Sequence, residues 1–403
     1  MSTQLDTEVT RAVVSERLDH DRLVAAAEGL VPLIRATARE AEIARRPLDE
    51  VIDAVSASGL FALMVPESLG GHEADLDTFF EVSLILSRAD ASMGWLVAFY
   101  IEHCYWFCGF PEPFQRELFA DRPYVLAPGS LSMAGGSANR VDGGYRLSGT
   151  WQWGTGIVHA DWVMVGAMNT DENGTPAPQF FAVPRDEVEA VDTWFVAGMC
   201  STGSYDLVID DVFVPEGRTV DMIGLINGVS ASQFHDGPLY RTPLTPILGF
   251  ASALSVLGAA QGALDEYCAQ TKAKIAANVQ RAGGVMTNEG KPSVVAAAAL
   301  TIEAAELLLR DVLRDVMEQR NAAAPDTRSG WLSRMAHAVF MCREAVQDIV
   351  SVTGAGGLRL ESPIQRALRD ITTGSNHIIF DRETRYADHG RTLLDQPIQS
   401  FMV

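Results

Sequence analysis

The chain reads as α+β, mostly α, in three parts: a helical N-terminal domain over 20–122, a β-rich middle domain over 123–225 and a C-terminal helical bundle over 235–395. Two observations carry this reading. Apolar residues recur at i, i+3, i+4 spacing in the first and last parts, the period of a helix with one buried face. Between them the pattern switches to strand alternation broken by tight-turn dipeptides. The length of 403 residues suits two or three domains, or one large composite unit.

In the first part, LVAAAEGLVPLIRATAREAEIA and LDEVIDAVSASGL are amphipathic helices, and Gly59 is placed to cap the second. PESLGGHEADLD is a proline- and glycine-marked loop. DASMGWLVAFYIEHCYWFCGFPEPFQRELF (90–119) follows as an aromatic-rich helix pair. In the middle part, DGG at 142–144 and DENGTP at 171–176 predict turns between alternating segments. WVMVGAM suits a buried strand, and VIDDVFVP alternates until it stops at a proline. Beyond residue 240, LGFASALSVLGAAQGALDEYCAQTKAKIAA, VVAAAALTIEAAELLLRDVLRDVMEQR and WLSRMAHAVFMCREAVQDIVSVTG are long amphipathic segments. With a fourth after Pro363 they predict a four-helix bundle. The stretches 281–292 and 321–329 are expected to be polar, mobile connections.

Composition excludes several function classes. The formal net charge is -21, from 52 acidic and 31 basic residues, so phosphate backbones and anionic lipid are repelled. Nucleic acid and membrane surfaces are therefore not expected partners. The N-terminus lacks an apolar leader core, and no run is expected to reach the roughly 18 apolar residues that a span needs. A soluble, cytoplasmic protein is expected. Cys104, Cys108, Cys200, Cys268 and Cys342 are odd in number and dispersed, which reads as inert thiols rather than disulfides or a metal site. No G-x-x-x-x-G-K-[ST] occurs, and no G-x-G-x-x-G opens a helix after a strand.

Four segments carry a family resemblance: FALMVPESLGG (61–71), SGTWQWGTGIVHADWVMVGAM (148–168), GMCSTGSYDLVIDDVFVPEGRT (198–219) and QRALRDITTGSNHIIFD (365–381). In this order they resemble the acyl-CoA dehydrogenase fold, and more narrowly its oxygen-using branch, the two-component flavin-dependent monooxygenases. The resemblance covers most of the chain. It implies a middle β-barrel domain and a homotetramer with the C-terminal bundles at its centre. It also implies an oxygenase component that takes reduced flavin (FADH2 or FMNH2) from a separate NAD(P)H:flavin reductase. With O2 and no metal, such an enzyme hydroxylates a small aromatic or polycyclic substrate through a C4a-hydroperoxyflavin. An N- or S-oxygenase and a catalytically silent flavin-binding homologue are the alternatives. Acyl-CoA oxidation is disfavoured because no Tyr-Glu-Gly-Thr-like run supplies a base, and LAPGSLSMAGGSAN (126–139) stands where the dehydrogenases carry A-x-T-E-P-x-x-G-S-D.

The resemblance assigns the site residue by residue. Thr155 is implied to lie on a strand of the β-domain and hold the N5 proton of the flavin, although strand propensity alone would also explain a threonine there. His377 is implied to approach the oxygen from the C-terminal bundle; helix capping is the plainer alternative. His103 is implied to hydrogen-bond or deprotonate a phenol, against the alternative of a core histidine among aromatics. Trp153, Thr155, Gly156, Thr202, Gly203 and Ser204 are expected to contact the cofactor, with Cys200-Ser201 replacing the family's usual Arg-Gly. Gly356 and Gly357 are further cofactor candidates, though a helix-to-helix turn explains them equally well. Trp95, Tyr100 and His103 are expected to line the substrate pocket. His159 is given a local or flavin-edge role. His72, His235, His337 and His389 are taken as surface or bundle histidines, and Arg369 and Asp370 as structural or intersubunit charges.

Overall fold

The computed structural model describes residues 17–170, 176–281 and 290–400; the expected turn at 171–175 and most of the 281–292 connection lie outside them. The N-terminal part contains helices α1 (His20–Ala44), α2 (Asp49–Ser58), α3 (Leu76–Ala89), α4 (Ala91–Phe107) and α5 (Glu112–Leu118). Gly59 ends α2 in the left-handed region at φ 82°, the capping role its position suggests. All 17 residues of α4 are buried, which is the state of a helix that is apolar on every side. Asp90 caps it, accepting from the Met93 amide at 3.1 Å.

The middle part is one sheet of eight strands: β1 (Gly129–Ser130), β2 (Gly136–Val141), β3 (Gly144–Gly154), β4 (Trp162–Thr170), β5 (Pro176–Pro184), β6 (Glu189–Val191), β7 (Tyr205–Pro215) and β8 (Thr219–Asp221). The ladder runs β6-β7-β3-β2-β4-β5-β8, with β1 parallel to β4. Asp142 and Gly143 form the two-residue turn joining β2 to β3, as the Asp-Gly dipeptide predicts. Leu147, Trp151, Val165, Phe181 and Leu207 form the sheet's own core.

After α6 (Met222–Ile226), the C-terminal part contains α7 (Leu244–Arg281), α8 (Pro292–Gln319), α9 (Pro325–Val352), α10 (Pro363–Gly374) and α11 (Arg382–Leu393). α7 joins the two helical parts, packing on α3 and α4 of the first and on α8, α9 and α10 of the second. Three expectations change here. Residues 325–329 begin α9 rather than forming a loose connection, and Arg328 and Ser329 are buried. The Arg328 guanidinium ties that turn to Asn227 at 2.7 Å, a contact across 101 positions that local polarity cannot reveal. Second, α7 and α8 are long and apolar enough to cross a membrane by length and composition. α7's apolar window is 83% buried, as in a core helix, whereas α8's is only 22% buried. Third, His72 is buried in the N-terminal part, between the Leu18 amide (3.2 Å) and the Gly59 carbonyl (3.2 Å).

Candidate active site

α4 carries the first half of the site. Trp95, Phe99 and His103 recur every four residues and so form one stripe along the helix. Phe99 stacks on Trp95 at 4.8 Å and meets His103 edge-on at 5.5 Å. His377, in the turn after α10, closes the row from the bundle, edge-on to Trp95 at 5.4 Å and to Phe99 at 6.2 Å. Two histidines 274 positions apart are thus joined through two aromatic rings. Phe99, the link, has only its four-residue spacing as a sequence signal.

His103 is set as a proton acceptor. Its Nδ1 lies 2.6 Å from the Ala127 carbonyl oxygen, which can only accept, so Nδ1 holds the proton and Nε2 holds a lone pair. That Nε2 is buried and has no partner. Gly129 packs against this ring: a Cβ at position 129 would stand 3.0 Å from Nε2 and 2.8 Å from the Trp106 ring. Trp106 forms another wall 4.5 Å away, and its Nε1 is held by Glu102 at 3.0 Å. Burial pushes Glu102 far up. Burial likewise pushes His103 down to about 4, outweighing the bond to Ala127.

The depressed His103 value predicts a pH effect on stability. In the unfolded chain the imidazole protonates near its ordinary value of about 6.5, whereas the folded site holds it neutral down to about 4. Falling pH therefore favours the unfolded state across that window. Melting temperatures of the wild type and His103→Gln are expected to converge as pH falls from 7 to 4.5. A difference that stays constant with pH would contradict the assignment.

The second half of the site is where β3 meets β7. The pairing slips between Trp151↔Leu207 and Gly154↔Tyr205, leaving one extra residue in β3. A bulge of this kind re-aims the chain. Thr155 therefore stands in the turn after β3, partly exposed, and not within a dry strand as expected. Trp151 points into the sheet core, while Trp153 is half exposed and packs on Trp194 at 5.7 Å. Thr155 Oγ lies 3.0 Å from Ser204 Oγ, which lies 2.7 Å from Thr202 Oγ. Gly156 donates its amide to the Thr202 carbonyl at 3.0 Å and takes φ 77°. The Tyr100 hydroxyl donates to the Gly156 carbonyl, and a Cβ at 156 would stand 2.3 Å from that hydroxyl oxygen. Only glycine fits there. Tyr100 therefore clamps the β3–β7 turn onto α4 and joins the two halves.

Asp370 holds the same loop from behind. It is buried, and its Oδ1 accepts from the Met199 amide at 2.6 Å. Burial and the charge of Asp90 raise it to about 7. Arg366 is 3.4 Å from Asp90, and Arg369 donates to the Ala197 carbonyl at 2.7 Å. His159 binds Asp49 at 2.9 Å, a local role. His235 pairs with Gln115 at 2.8 Å and His337 with Tyr386 at 2.8 Å. Gly356 and Gly357 form the turn between α9 and α10; among the described residues no hydrogen bond or ring contact joins them to the cluster. No group of three metal-binding side chains occurs among the described residues.

Two helical parts flanking one sheet, with an aromatic-walled histidine on α4 tied through Tyr100 to a hydroxyl-lined turn, fit a flavin oxidoreductase of the acyl-CoA dehydrogenase fold. Comparison with known proteins narrows this. The family described as "Acyl-CoA dehydrogenase, C-terminal domain" matches residues 250–382. The chain is 36% identical over 372 residues to a pigment production hydroxylase of Rhodococcus sp. (strain ATCC 21145), covering 92% of this chain and 95% of that one. It is 33% identical over 388 residues to the oxygenase component of an FADH(2)-dependent resorcinol hydroxylase of Rhizobium sp. (strain MTP-10005), covering 93% and 94%. The solved HsaA monooxygenase of M. tuberculosis superposes with a TM-score of 0.87 at 28% identity, covering 96% of this chain and 100% of that one. The chain belongs to the flavin-dependent monooxygenases of the acyl-CoA dehydrogenase fold and is the oxygenase component of a two-component system.

Proposed function

We propose that this oxygenase hydroxylates a phenolic ring with His103 as the base that receives the hydroxyl proton. The observation that carries the reading is the buried, unpartnered Nε2 of His103, fixed as an acceptor and surrounded by Phe99 and Trp106. A phenol placed there meets apolar walls with its ring and a lone pair with its hydroxyl. Proton transfer to Nε2 raises electron density at the ortho carbon, where oxygen is received.

Reduced flavin fits the opposite face. Trp153 offers an exposed ring, and the partly exposed Thr155 hydroxyl offers a polar contact beside Gly156, Thr202, Gly203 and Ser204. The bound flavin would supply the electrons that activate O2. FADH2 is the form we favour, because the resorcinol hydroxylase relative is FADH(2)-dependent; a separate reductase would deliver it. Gly356 and Gly357 are retained as cofactor contacts from the α9–α10 turn. His377 lies between the aromatic row and the bundle, where burial holds it neutral, down to about 4. The five cysteines are free thiols, which supports a cytoplasmic setting. The test is a screen of resorcinol and other phenols, their methyl ethers and indole, with FADH2 and FMNH2 supplied by a reductase. Turnover of the ethers equal to that of the phenols would overturn the phenol-base reading.

We also propose a homotetramer. On α8, Ala297, Leu300, Ala304 and Leu307 form an exposed apolar stripe, with Leu300 65% and Leu307 62% exposed. A single bundle leaves that stripe in water, and burying it against copies of the chain removes the cost. Light scattering is expected to give about four times the 43.6 kDa chain mass, and Leu300→Glu with Leu307→Glu to lower it. A wild-type monomer would contradict the proposal.

A further inference from the structure

Glu102 and His103 are consecutive on α4, and each keeps a buried polar atom without a partner, Glu102 Oε2 and His103 Nε2. They are 0% and 1% exposed, so bulk water reaches neither. A single indole meets both residues: Trp106 donates its Nε1–H to Glu102 Oε1 at 3.0 Å, and its ring lies 4.5 Å from the His103 ring. At 3.6 residues per turn, Glu102 projects about 20° from Trp95 and about 60° from Phe99 around the helix. It therefore stands at the edge of the aromatic row, on the side of α4 that bears the base. A buried carboxyl oxygen with nothing to bond is destabilising, and this one sits beside the place where the substrate ring is received. Burial raises the Glu102 carboxyl far above its ordinary value, which favours the protonated acid. With Oε1 accepting from Trp106, the acid proton is carried on Oε2 and is free to be donated.

We propose that Glu102 is a specificity-determining residue that binds a second oxygen substituent on the phenolic ring. The site then takes rings bearing two neutral oxygen groups, such as dihydroxybenzenes and keto- or alkoxyphenols, in preference to simple alkylphenols. The proposal rests on the reading that His103 receives the first hydroxyl. His103 Nε2 meets the hydroxyl that is to lose its proton, and Glu102 Oε2 meets the other oxygen across the Trp106 indole. Two anchors at different positions on one ring decide which ortho carbon is presented to the oxygen. A lone hydroxyl leaves the ring free to turn about its own axis.

The test measures binding, not turnover. Resorcinol is compared with 3-methylphenol, in which a methyl group of similar size replaces one hydroxyl. Their dissociation constants are determined by equilibrium dialysis, anaerobically with dithionite-reduced FAD, and melting temperatures check folding. Glu102→Leu is expected to shift the ratio of the two constants at least about tenfold towards 3-methylphenol, the scale of one hydrogen bond. Glu102→Gln, whose amide keeps both a donor and an acceptor, should retain most of the wild-type ratio. Glu102→Met carries the test if Glu102→Leu does not fold. An unchanged ratio in the apolar variant, with the two ligands weakened equally or not at all, would leave Glu102 as a support for Trp106 and overturn the proposal. A Glu102→Gln ratio that matches the apolar variant overturns it too. The His103 reading is judged separately, by wild-type turnover of 3-methylphenol against its methyl ether, a pair that gives Glu102 no second oxygen. Equal turnover of that pair sinks the base and leaves the binding ratios to decide Glu102.

Discussion

His103→Ala is expected to slow hydroxylation of phenols by about 10²–10⁴-fold while leaving consumption of O2 by the bound reduced flavin largely intact. The two effects separate because His103 acts on the substrate. Its Nδ1 is held by the Ala127 carbonyl and its Nε2 is the only buried lone pair it can offer a phenol. Without it the hydroxyl proton has no acceptor, and O2 activated at the flavin leaves as hydrogen peroxide. The diagnostic is substrate dependence. A ring without an ionisable hydroxyl gains nothing from the base and should lose far less. Product is measured against O2 consumed, with catalase present and absent. Equal losses on phenols and on indole would remove His103 from the role of base and return it to the aromatic core. Because the folded site keeps this imidazole neutral down to about 4, its base form is present throughout the neutral range. The acid limb of a wild-type pH profile at pH 5–8 should therefore not report His103.

Much of this arrangement was legible in the sequence, and the parts that were not share one physical cause. Helical and strand periodicities place most of the N-terminal helices, the sheet and the bundle, because those elements carry a buried face in their own local pattern, while α4 is apolar all round. His103, His377 and Thr155 are singled out by the motifs around them. Contacts between distant segments are not. Asp370 reads as a structural or intersubunit charge in RDITTG, but its partner is not legible there: it is buried and holds the Met199 amide 171 positions away. The clamp from Tyr100 to Gly156 gives a pocket aromatic the further task of positioning the β3–β7 turn. Thr155 falls outside its strand because of a bulge, and a one-residue slip in pairing has no signature in the alternation itself. The same limit explains α8. Its wide apolar arc is visible in the letters, but which part the bundle covers and which part it leaves in water is a property of the packing.

Thr155→Ala is expected to fail differently, lowering product formation by about 10²–10³-fold through loss of coupling and not through loss of the base. Alanine removes the Thr155 hydroxyl but leaves the turn in place. The Gly156 amide still bonds the Thr202 carbonyl, and Tyr100 still reaches the Gly156 carbonyl. Reduced flavin should therefore bind, more weakly, and O2 should be consumed at a comparable rate. Without that hydroxyl the N5 proton would be unheld, so more of the oxygen should leave as hydrogen peroxide for every substrate, phenol or not. That indifference to substrate distinguishes Thr155 from His103. His377→Ala should show a third pattern, slowing O2 consumption as well as product formation, because His377 faces the site from the bundle next to Trp95 and Phe99. Thr155→Ser supplies the control: it restores a hydroxyl within reach of Ser204 and should recover most of the coupling. Oxygen-electrode traces with and without catalase, run on one phenol and one non-phenolic ring, resolve all four variants. A Thr155→Ala enzyme that stays as well coupled as Thr155→Ser would move the flavin's reactive edge away from this turn.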